Sequence, residues 1–226
     1  MSENNRQEYI RSKQGVMMTQ RYVYVVISKT ATRFGYVLRR VGGVRYNHAA
    51  IALDEELREL YSFARKQYHA ALIGGLVEET VERYTLRKQT DIPVTVFRIP
   101  VSAEQYLQIK QGIEGIKQDQ DYKYNLFSVL TFPITKGFAV YKAYSCIEFV
   151  MNMMQKADYT LTKPAYQYTP DELLELFAAE IWFQGNLLDY CSLHSSDDTY
   201  FQPMNLDTCI RSGSDLREIV RRSLFT

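Results

Sequence analysis

The chain has 226 residues, of which 46% are hydrophobic, and its 27 Lys and Arg residues nearly balance 26 Asp and Glu residues for a formal charge of +1. This length and composition predict one globular domain with a sizeable core. The balanced charge disfavours nucleic-acid binding, and no apolar run approaches the ~18 residues of a membrane-spanning helix. Three cysteines are too few for a disulfide scaffold, and the N-terminus lacks an apolar signal segment, so we expect a cytoplasmic protein with reduced thiols.

The first half of the chain predicts a sheet preceded by a loose polar arm at 1–20. Runs of β-branched and aromatic residues predict strands at 21–28, 46–53, 60–64, 76–82 and 94–99. A charged turn joins the second and third of these strands, which predicts an antiparallel hairpin. Gly74 and Gly75 predict a break before the fourth strand, and Pro100 closes the fifth. Residues 36–40 are compatible with one helical turn or with an irregular loop.

Two helix starts are well marked in the second half. Ser102 and Gln105 form a capping box ahead of a helix that extends to about residue 117. A stronger start, with Thr169 as the cap and Pro170 at the first helical position, predicts a helix that ends at Gly185. The residues that this helix is predicted to turn inward are Leu173, Leu174, Phe177, Ile181 and Trp182.

The remaining segments carry weaker signals. Residues 122–144 predict an aromatic loop with a helical turn favoured only at 126–130. Residues 186–190 predict a last short strand, and 215–224 predict a short helix. These patterns favour one domain over 21–190, followed by a C-terminal extension at 191–226.

Cys146 occupies the most chemically suggestive position in the chain. Ser145 and Glu148 form a capping box, so Cys146 is the first residue of a helix that extends to about residue 157. At that position the unpaired amides and the helix dipole favour a thiolate, although the carboxylate of Glu148 offsets part of the effect. The alternative is a small buried residue that begins an amphipathic helix.

A thiolate nucleophile needs a proton acceptor, and histidine is the usual one because its pKa lies near neutrality. Among the three histidines, His48 lies on a predicted strand of small apolar residues, whereas His69 and His194 lie in polar loops. Ser62, on the returning strand of the hairpin, is placed to face the same side as His48. The alternative for His48 is a core histidine without a catalytic role.

Four segments resemble the permuted papain-like branch of the NlpC/P60 superfamily. The histidine half is YNHAAIALD at 46–54, LYSF at 60–63 and GGLVE at 74–78, and the cysteine half is YSCIEFV at 144–150. His48 precedes Cys146, which is the order of the circularly permuted branch. The resemblance covers about 21–190 and also includes 169–190. It implies an α+β, circularly permuted papain-like fold, with an antiparallel sheet on which the cysteine-bearing helix packs.

The resemblance also implies a cysteine hydrolase that acts on an amide or an ester. Cys146 is then the nucleophile and His48 the general base and acid, and the third, orienting residue is Ser62, with Glu78 or Glu79 as alternatives. Tyr144 and Tyr46 are the candidate substrate-binding residues. No cofactor is implied, and no pair of Cys or His residues has the spacing of a zinc site.

Three functions remain open at this point. The first is an amidase or peptidase that cleaves a small peptide or a cell-wall-type fragment. The second is a lipid acyltransferase or lipid-ester hydrolase, which an apolar groove beside Cys146 would favour, whereas a short polar cleft with a carboxylate would favour peptide. The third is a non-catalytic binding module, which a long distance between His48 and the Cys146 sulfur would favour. The sequence does not predict an oligomeric state.

Overall fold

The computed structural model describes residues 20–70, 72–87, 91–190 and 199–224, which form an α+β fold with an antiparallel sheet. This class is the one predicted from the sequence. Residues 1–19 of the predicted arm, and also Cys191 and His194, lie outside the described residues. Within the described ranges, no helix combines the length and the apolar character needed to cross a lipid bilayer.

A six-stranded sheet forms the centre of the fold. Its strands are β1 (Arg21–Ser28), β2 (His48–Ala52), β3 (Leu60–Arg65), β4 (Gly74–Glu78), β5 (Pro93–Val101) and β8 (Ile181–Asn186). They lie in the order β4-β3-β2-β1-β5-β8, and every neighbouring pair is antiparallel. The predicted hairpin is therefore present as β2 and β3. Two short strands, β6 (Lys123–Tyr124) and β7 (Ala143–Tyr144), pair with each other in parallel.

Helices connect the strands of the sheet, and further helices follow the last strand of the sheet. They are α1 (Arg33–Gly42), α2 (Val81–Thr85), α3 (Ala103–Gln118), α4 (Leu126–Thr135), α5 (Cys146–Gln155), α6 (Pro170–Leu176), α7 (Leu187–Tyr190) and α8 (Leu206–Leu224). The capping boxes predicted at Ser102, Ser145 and Thr169 are all present. Each capping box marks the start of its helix, because the side chain of the cap residue accepts a hydrogen bond from an amide that has no partner inside the helix.

Both faces of the sheet are buried. Along β1, the side chains of Val25 and Ile27 lie in the core that contains α3 and α5, whereas Tyr24 and Val26 lie in a second core on the other face. Tyr84 of α2 belongs to this second core. A strand covered on both sides has no solvent-facing positions, which explains why β1 is almost entirely apolar.

The cysteine-bearing helix α5 packs against β2 and β3, as expected from the sequence. Phe149 of α5 and Phe63 of β3 are fully buried, and their ring centroids are 5.1 Å apart. Ala49 of β2 faces the same core. Burial of each large apolar side chain contributes about 1.5–3 kcal/mol, so this contact fixes the position of α5, and with it Cys146, relative to the hairpin.

Two strand predictions need correction at glycine and proline positions. Gly74 and Gly75 lie inside β4, where they pair with Arg65 and Ala64, and do not break the chain before it. This strand ends at Glu78, so Glu79 and Thr80 belong to the turn into α2. Pro100 lies within β5, opposite Tyr22, instead of ending the strand.

The C-terminal part of the predicted domain differs more. The helix that begins at Pro170 ends at Leu176, and Ile181 and Trp182 lie on the edge strand β8, where they are 39% and 48% exposed. The run IWFQGN is rich in β-branched and aromatic residues, and pairing with β5 outweighs its helix-like spacing. Residues 187–190 form the single turn α7 instead of a strand, and α8 includes and extends the short helix predicted at 215–224.

Candidate active site

His48 and Cys146 come together at one end of the β2–α5 contact. His48 is the first residue of β2, and Cys146 is the first residue of α5. Their side chains interact across this contact, although 98 positions separate the two residues in the sequence. Both are largely buried, since the His48 side chain is 12% exposed and Cys146 is 6% exposed. The two residues that the sequence predicted as a pair are therefore in contact.

Glu79 is the residue that contacts the other side of the imidazole. Its Oε1 atom lies 2.8 Å from Nε2 of His48 and also accepts a hydrogen bond from the hydroxyl of Ser62. Its Oε2 atom accepts a hydrogen bond from Nε of Arg83 at 2.9 Å. Because Nε2 is bound to Glu79, Nδ1 is the ring nitrogen left for Cys146.

The three candidates for the orienting residue thus have distinct positions. Glu79 contacts His48 directly, and Ser62 is buried behind it and contacts Glu79. Glu78 points away, is half exposed, and pairs with Lys117 at 3.8 Å. Among the candidates predicted from the sequence, the geometry therefore favours Glu79 as the residue that orients His48.

The electrostatics of this group favour a charged pair. Burial lowers the pKa of His48, but its interactions with Cys146 and Glu79 outweigh that effect and raise the pKa to about 10. Burial raises the pKa of Cys146, but His48 and the backbone amides of Ala49 and Ile147 lower it below its usual value. The arrangement is therefore suited to hold Cys146 as a thiolate beside an imidazolium.

The carboxylate of Glu79 is the fixed negative charge of the site. Burial raises its pKa, but Arg83, His48 and Ser62 together lower it to about 2. Arg83 itself is 7% exposed. A carboxylate that stays ionised at all ordinary pH values favours the protonated form of His48 and holds its ring in one orientation.

Glu148 introduces a second buried carboxyl in the first turn of α5. Its side chain accepts a hydrogen bond from the backbone N–H of Ser145 and thereby completes the capping box. Burial raises the pKa of Glu148 to about 7, against the opposing effect of the Ser145 amide. Its charge therefore changes near neutral pH, within the same helical turn as the thiol.

Tyr124 is a site residue that sequence reasoning missed. It is 7% exposed, and burial together with the negative charge of Cys146 raises its pKa above the usual value. Its hydroxyl forms no hydrogen bond with any residue that the structure describes. The backbone of Tyr124 pairs with that of Tyr144, two residues before Cys146, and its side chain lies against Gly74, where a Cβ atom would collide with it. No signal in a chain with 18 tyrosines distinguishes this one.

An apolar groove opens beside Cys146. Its floor contains Cys146, Ile147 and Tyr124, and its walls come from α1, α4 and the start of α6. No carboxylate or cationic side chain lines it among the described residues. The groove's lining side chains, from these helices and the adjoining loops, include Val37, Val44, Val129, Leu130, Phe132, Pro133, Tyr166 and Tyr168.

A second cavity, whose lining is more polar than that of the groove, lies on the His48 side. Its lining includes Thr30, His48, Arg65 and Glu79. Asn47 and Tyr124 line both cavities, so the reacting pair lies at the boundary between an apolar space and a more polar one.

The two tyrosines predicted to bind substrate have different positions. Tyr46 lines the apolar groove, and its hydroxyl lies 3.0 Å from Oγ1 of Thr95. Tyr144 instead packs its ring on Phe63 and Tyr122 and lines a separate concavity near α3. Only Tyr46 is therefore placed to contact a substrate that lies beside Cys146.

No cluster of three or more potential metal-ligating side chains occurs in the part of the chain that the structure describes. Comparison with known proteins finds no matching family model, no matching curated protein and no matching solved structure.

Proposed function

We propose that the chain is a cysteine hydrolase or acyltransferase of permuted papain-like fold, which forms an acyl-enzyme on Cys146 from a substrate with an apolar acyl group. The observation that carries the proposal is the juxtaposition of Cys146 with His48, whose ring is hydrogen-bonded to Glu79, beside an apolar groove that Cys146 lines. The order of the His48 strand and the Cys146 helix supports the permuted fold. The direct contact between these two side chains supports an enzyme over a binding module.

The reaction proceeds in two steps. The Cys146 thiolate attacks the carbonyl carbon, and the imidazolium of His48 gives its proton to the leaving group as the bond to that group breaks. The neutral His48 then removes a proton from water, or from an acceptor alcohol or amine, which attacks the thioester and releases Cys146. Glu79 stabilises the imidazolium in each step and keeps the ring in place.

Two donors are positioned for the oxyanion. The backbone N–H of Cys146 lies at the start of α5, where helix amides lack partners, and Tyr124, whose hydroxyl has no hydrogen bond to the described residues, lines the same groove as Cys146. Donors of this kind each contribute roughly 10²–10³ in rate when they meet the developing negative charge.

The two cavities support an assignment of the substrate's two parts. The acyl group lies in the apolar groove beside Cys146, and the polar leaving group lies on the side of His48, which protonates it. An apolar groove to which no described residue contributes a charged side chain favours a fatty acyl ester or thioester over a small peptide. The proposed activity is therefore lipid-ester hydrolysis or acyl transfer in preference to peptide-amide cleavage.

The test is to trap the acyl-enzyme. The full chain is incubated with acyl thioesters of increasing chain length and with a small peptide amide, and the adduct is located by mass spectrometry. We expect an adduct on Cys146 whose rate of formation increases with acyl chain length, and a loss of roughly 10²–10⁴ in that rate in His48→Ala but not in His69→Ala. Absence of any adduct, or a preference for the peptide, would contradict the proposal.

A further inference from the structure

The mouth of the apolar groove is surrounded by exposed apolar side chains. Val37 of α1 and Leu130 of α4 line the groove, yet they are 50% and 49% exposed, and the two helices contact each other. Ile134, next to the lining residue Pro133, is 89% exposed. We call this surface, defined by Val37, Leu130, Pro133 and Ile134, the mouth face. Large side chains concentrated around an opening are typical of surfaces that another apolar phase covers.

A basic concavity adjoins the mouth face. The basic residues that contribute to its lining are Lys29, Arg39, Arg40 and Arg45. Val44 and Tyr46 line both the concavity and the groove, so the two spaces share a wall. No acidic side chain lines the concavity among the described residues.

The cationic character of this concavity is local. The whole chain has a formal charge of only +1, yet four basic residues occur in one concavity. Asp171 approaches Arg45 at 3.9 Å, but its two oxygens accept hydrogen bonds from the backbone amides of Arg45 and Tyr46. Arg39 is partly engaged, because it donates to the carbonyl oxygen of Thr30 and to Asn47. Arg40 is exposed and forms no ion pair with a described residue.

We propose that the mouth face docks on an anionic lipid bilayer, with phosphate headgroups in the basic concavity and Val37, Leu130 and Ile134 in the interfacial layer. The choice of a bilayer over a protein partner rests on the proposed function, because the docked groove opens towards the acyl chains that it would receive. Charge complementarity favours an anionic surface. The exposed apolar side chains add burial of apolar area in the interfacial layer, which attraction to the headgroups alone does not provide.

Vesicle binding tests this inference without catalysis. The full chain with Cys146→Ala is mixed with vesicles of phosphatidylcholine alone or of phosphatidylcholine with phosphatidylglycerol, and bound protein is measured by flotation. We expect binding to the anionic vesicles only, with an affinity that decreases as salt is added. Arg40→Glu should lower that affinity roughly tenfold or more, since it reverses one charge at the surface, and Ile134→Ser should lower it several-fold.

Matched substitutions on α3 serve as controls. Leu107 is 54% exposed and Lys110 is exposed, but both are remote in sequence from the mouth face and line neither space, so Leu107→Ser and Lys110→Glu should leave vesicle affinity unchanged. Equal binding to both vesicle types, equal losses in the α3 variants, or no binding at all would overturn the proposal, and the last result would point to a protein on the mouth face.

The vesicle experiment and the acyl-enzyme experiment can fail independently of each other. An acyl-enzyme that forms from soluble thioesters in a chain that binds no vesicles would overturn bilayer docking and leave the hydrolase intact. Anionic-vesicle binding that depends on Arg40 and Ile134, in a chain that forms no acyl-enzyme, would support docking and contradict the hydrolase.

Discussion

Oε1 of Glu79 lies 2.8 Å from Nε2 of His48, and this bond ties the imidazole to a carboxylate that Arg83 holds from behind. The bond decides which ring nitrogen faces Cys146. It also connects the orientation of the proposed base to a side chain on the turn after β4, remote from both reacting residues in sequence.

Glu79→Gln should therefore remove the charge that stabilises the imidazolium. We expect the rate of acyl-enzyme formation to decrease by about 10²-fold or more. The free energy of unfolding should also decrease by roughly 1–3 kcal/mol, because Arg83 loses its buried anionic partner. Steady-state kinetics and urea unfolding measure the two effects. Glu78→Gln, on an exposed neighbour, is the control and should change neither quantity. Near-normal activity in a folded Glu79→Gln chain would contradict the role of Glu79.

Ser62→Ala tests whether Ser62 only supports Glu79 or itself orients His48. Because Ser62 donates to Glu79, its removal should cost about 1–2 kcal/mol of unfolding free energy and less than roughly tenfold in activity. Ser28→Ala is a suitable control, since the hydroxyl of Ser28 is buried without a hydrogen bond to a described residue and its loss should be nearly neutral. A decrease as large as that of Glu79→Gln would make Ser62 the orienting residue.

Glu148→Gln should make the protein more stable above neutral pH. Because the pKa of Glu148 is raised from 4.5 to about 7, its contribution to stability is full below about pH 4.5 and is lost as the pH rises through 7. Glutamine keeps the capping box without the buried charge, so we expect a gain of up to about 3 kcal/mol above pH 7, seen in urea unfolding at several pH values. It should also lower the pKa of Cys146.

Glu172→Gln provides the opposite case in the same kind of capping box. Burial raises the pKa of Glu172, but Lys163 and Thr169 outweigh it and lower the pKa below 4.5. Its contribution is therefore present above about pH 4.5 and lost below it, and the substitution should destabilise the protein at neutral pH. A loss of stability in Glu148→Gln at high pH would contradict the prediction that the buried carboxylate of Glu148 destabilises the folded protein.

Thiol reactivity tests the charged pair without a substrate. Below the ordinary thiol pKa of about 8.5, a limiting amount of a small alkylating reagent should modify Cys146 before Cys209, although Cys209 is exposed and Cys146 is buried. His48→Ala should slow the labelling of Cys146, and His69→Ala should not. Peptide mapping by mass spectrometry identifies the sites. Preferential labelling of Cys209, or labelling of Cys146 that is indifferent to His48, would contradict the pair.

Tyr124→Phe tests the proposed oxyanion donor. The hydroxyl has no hydrogen bond to the described residues, so its removal should leave stability and thiol labelling unchanged while acyl-enzyme formation slows by roughly 10²–10³. Tyr144→Phe is the matched control, because that ring lies outside the groove and its loss should leave the rate unchanged. An unaltered rate in Tyr124→Phe would remove its hydroxyl from the mechanism.

The sequence predicts those features whose causes are local. The helix start at Cys146 follows from Ser145 and Glu148 alone, and the β2–β3 hairpin follows from two apolar runs and one charged turn. The choice between Glu78 and Glu79 has no local cause. It depends on where β4 ends and how the turn enters α2, which pairing with β3 determines.

The groove was also beyond local reasoning, because helices that the sequence leaves undecided form its walls. Residues 36–40 belong to α1, whose cap Thr32 accepts a hydrogen bond from the N–H of Gly35, and 126–130 belong to α4, which contains Pro133. Glycine and proline within these segments mask their helical pattern. The exposed apolar residues at the mouth further weaken the usual inward-facing periodicity.

Gly74 is sensitive to substitution although it takes no part in the proposed reaction. The ring of Tyr124 can lie between the two cavities only because position 74 has no side chain, so a methyl group there would displace an aromatic residue without touching Cys146, His48 or Glu79. A random mutagenesis screen would consequently score an edge-strand glycine among the essential positions. Neutral drift at this site is thus restricted by the backbone of β4 as well as by the residues proposed to carry the reaction.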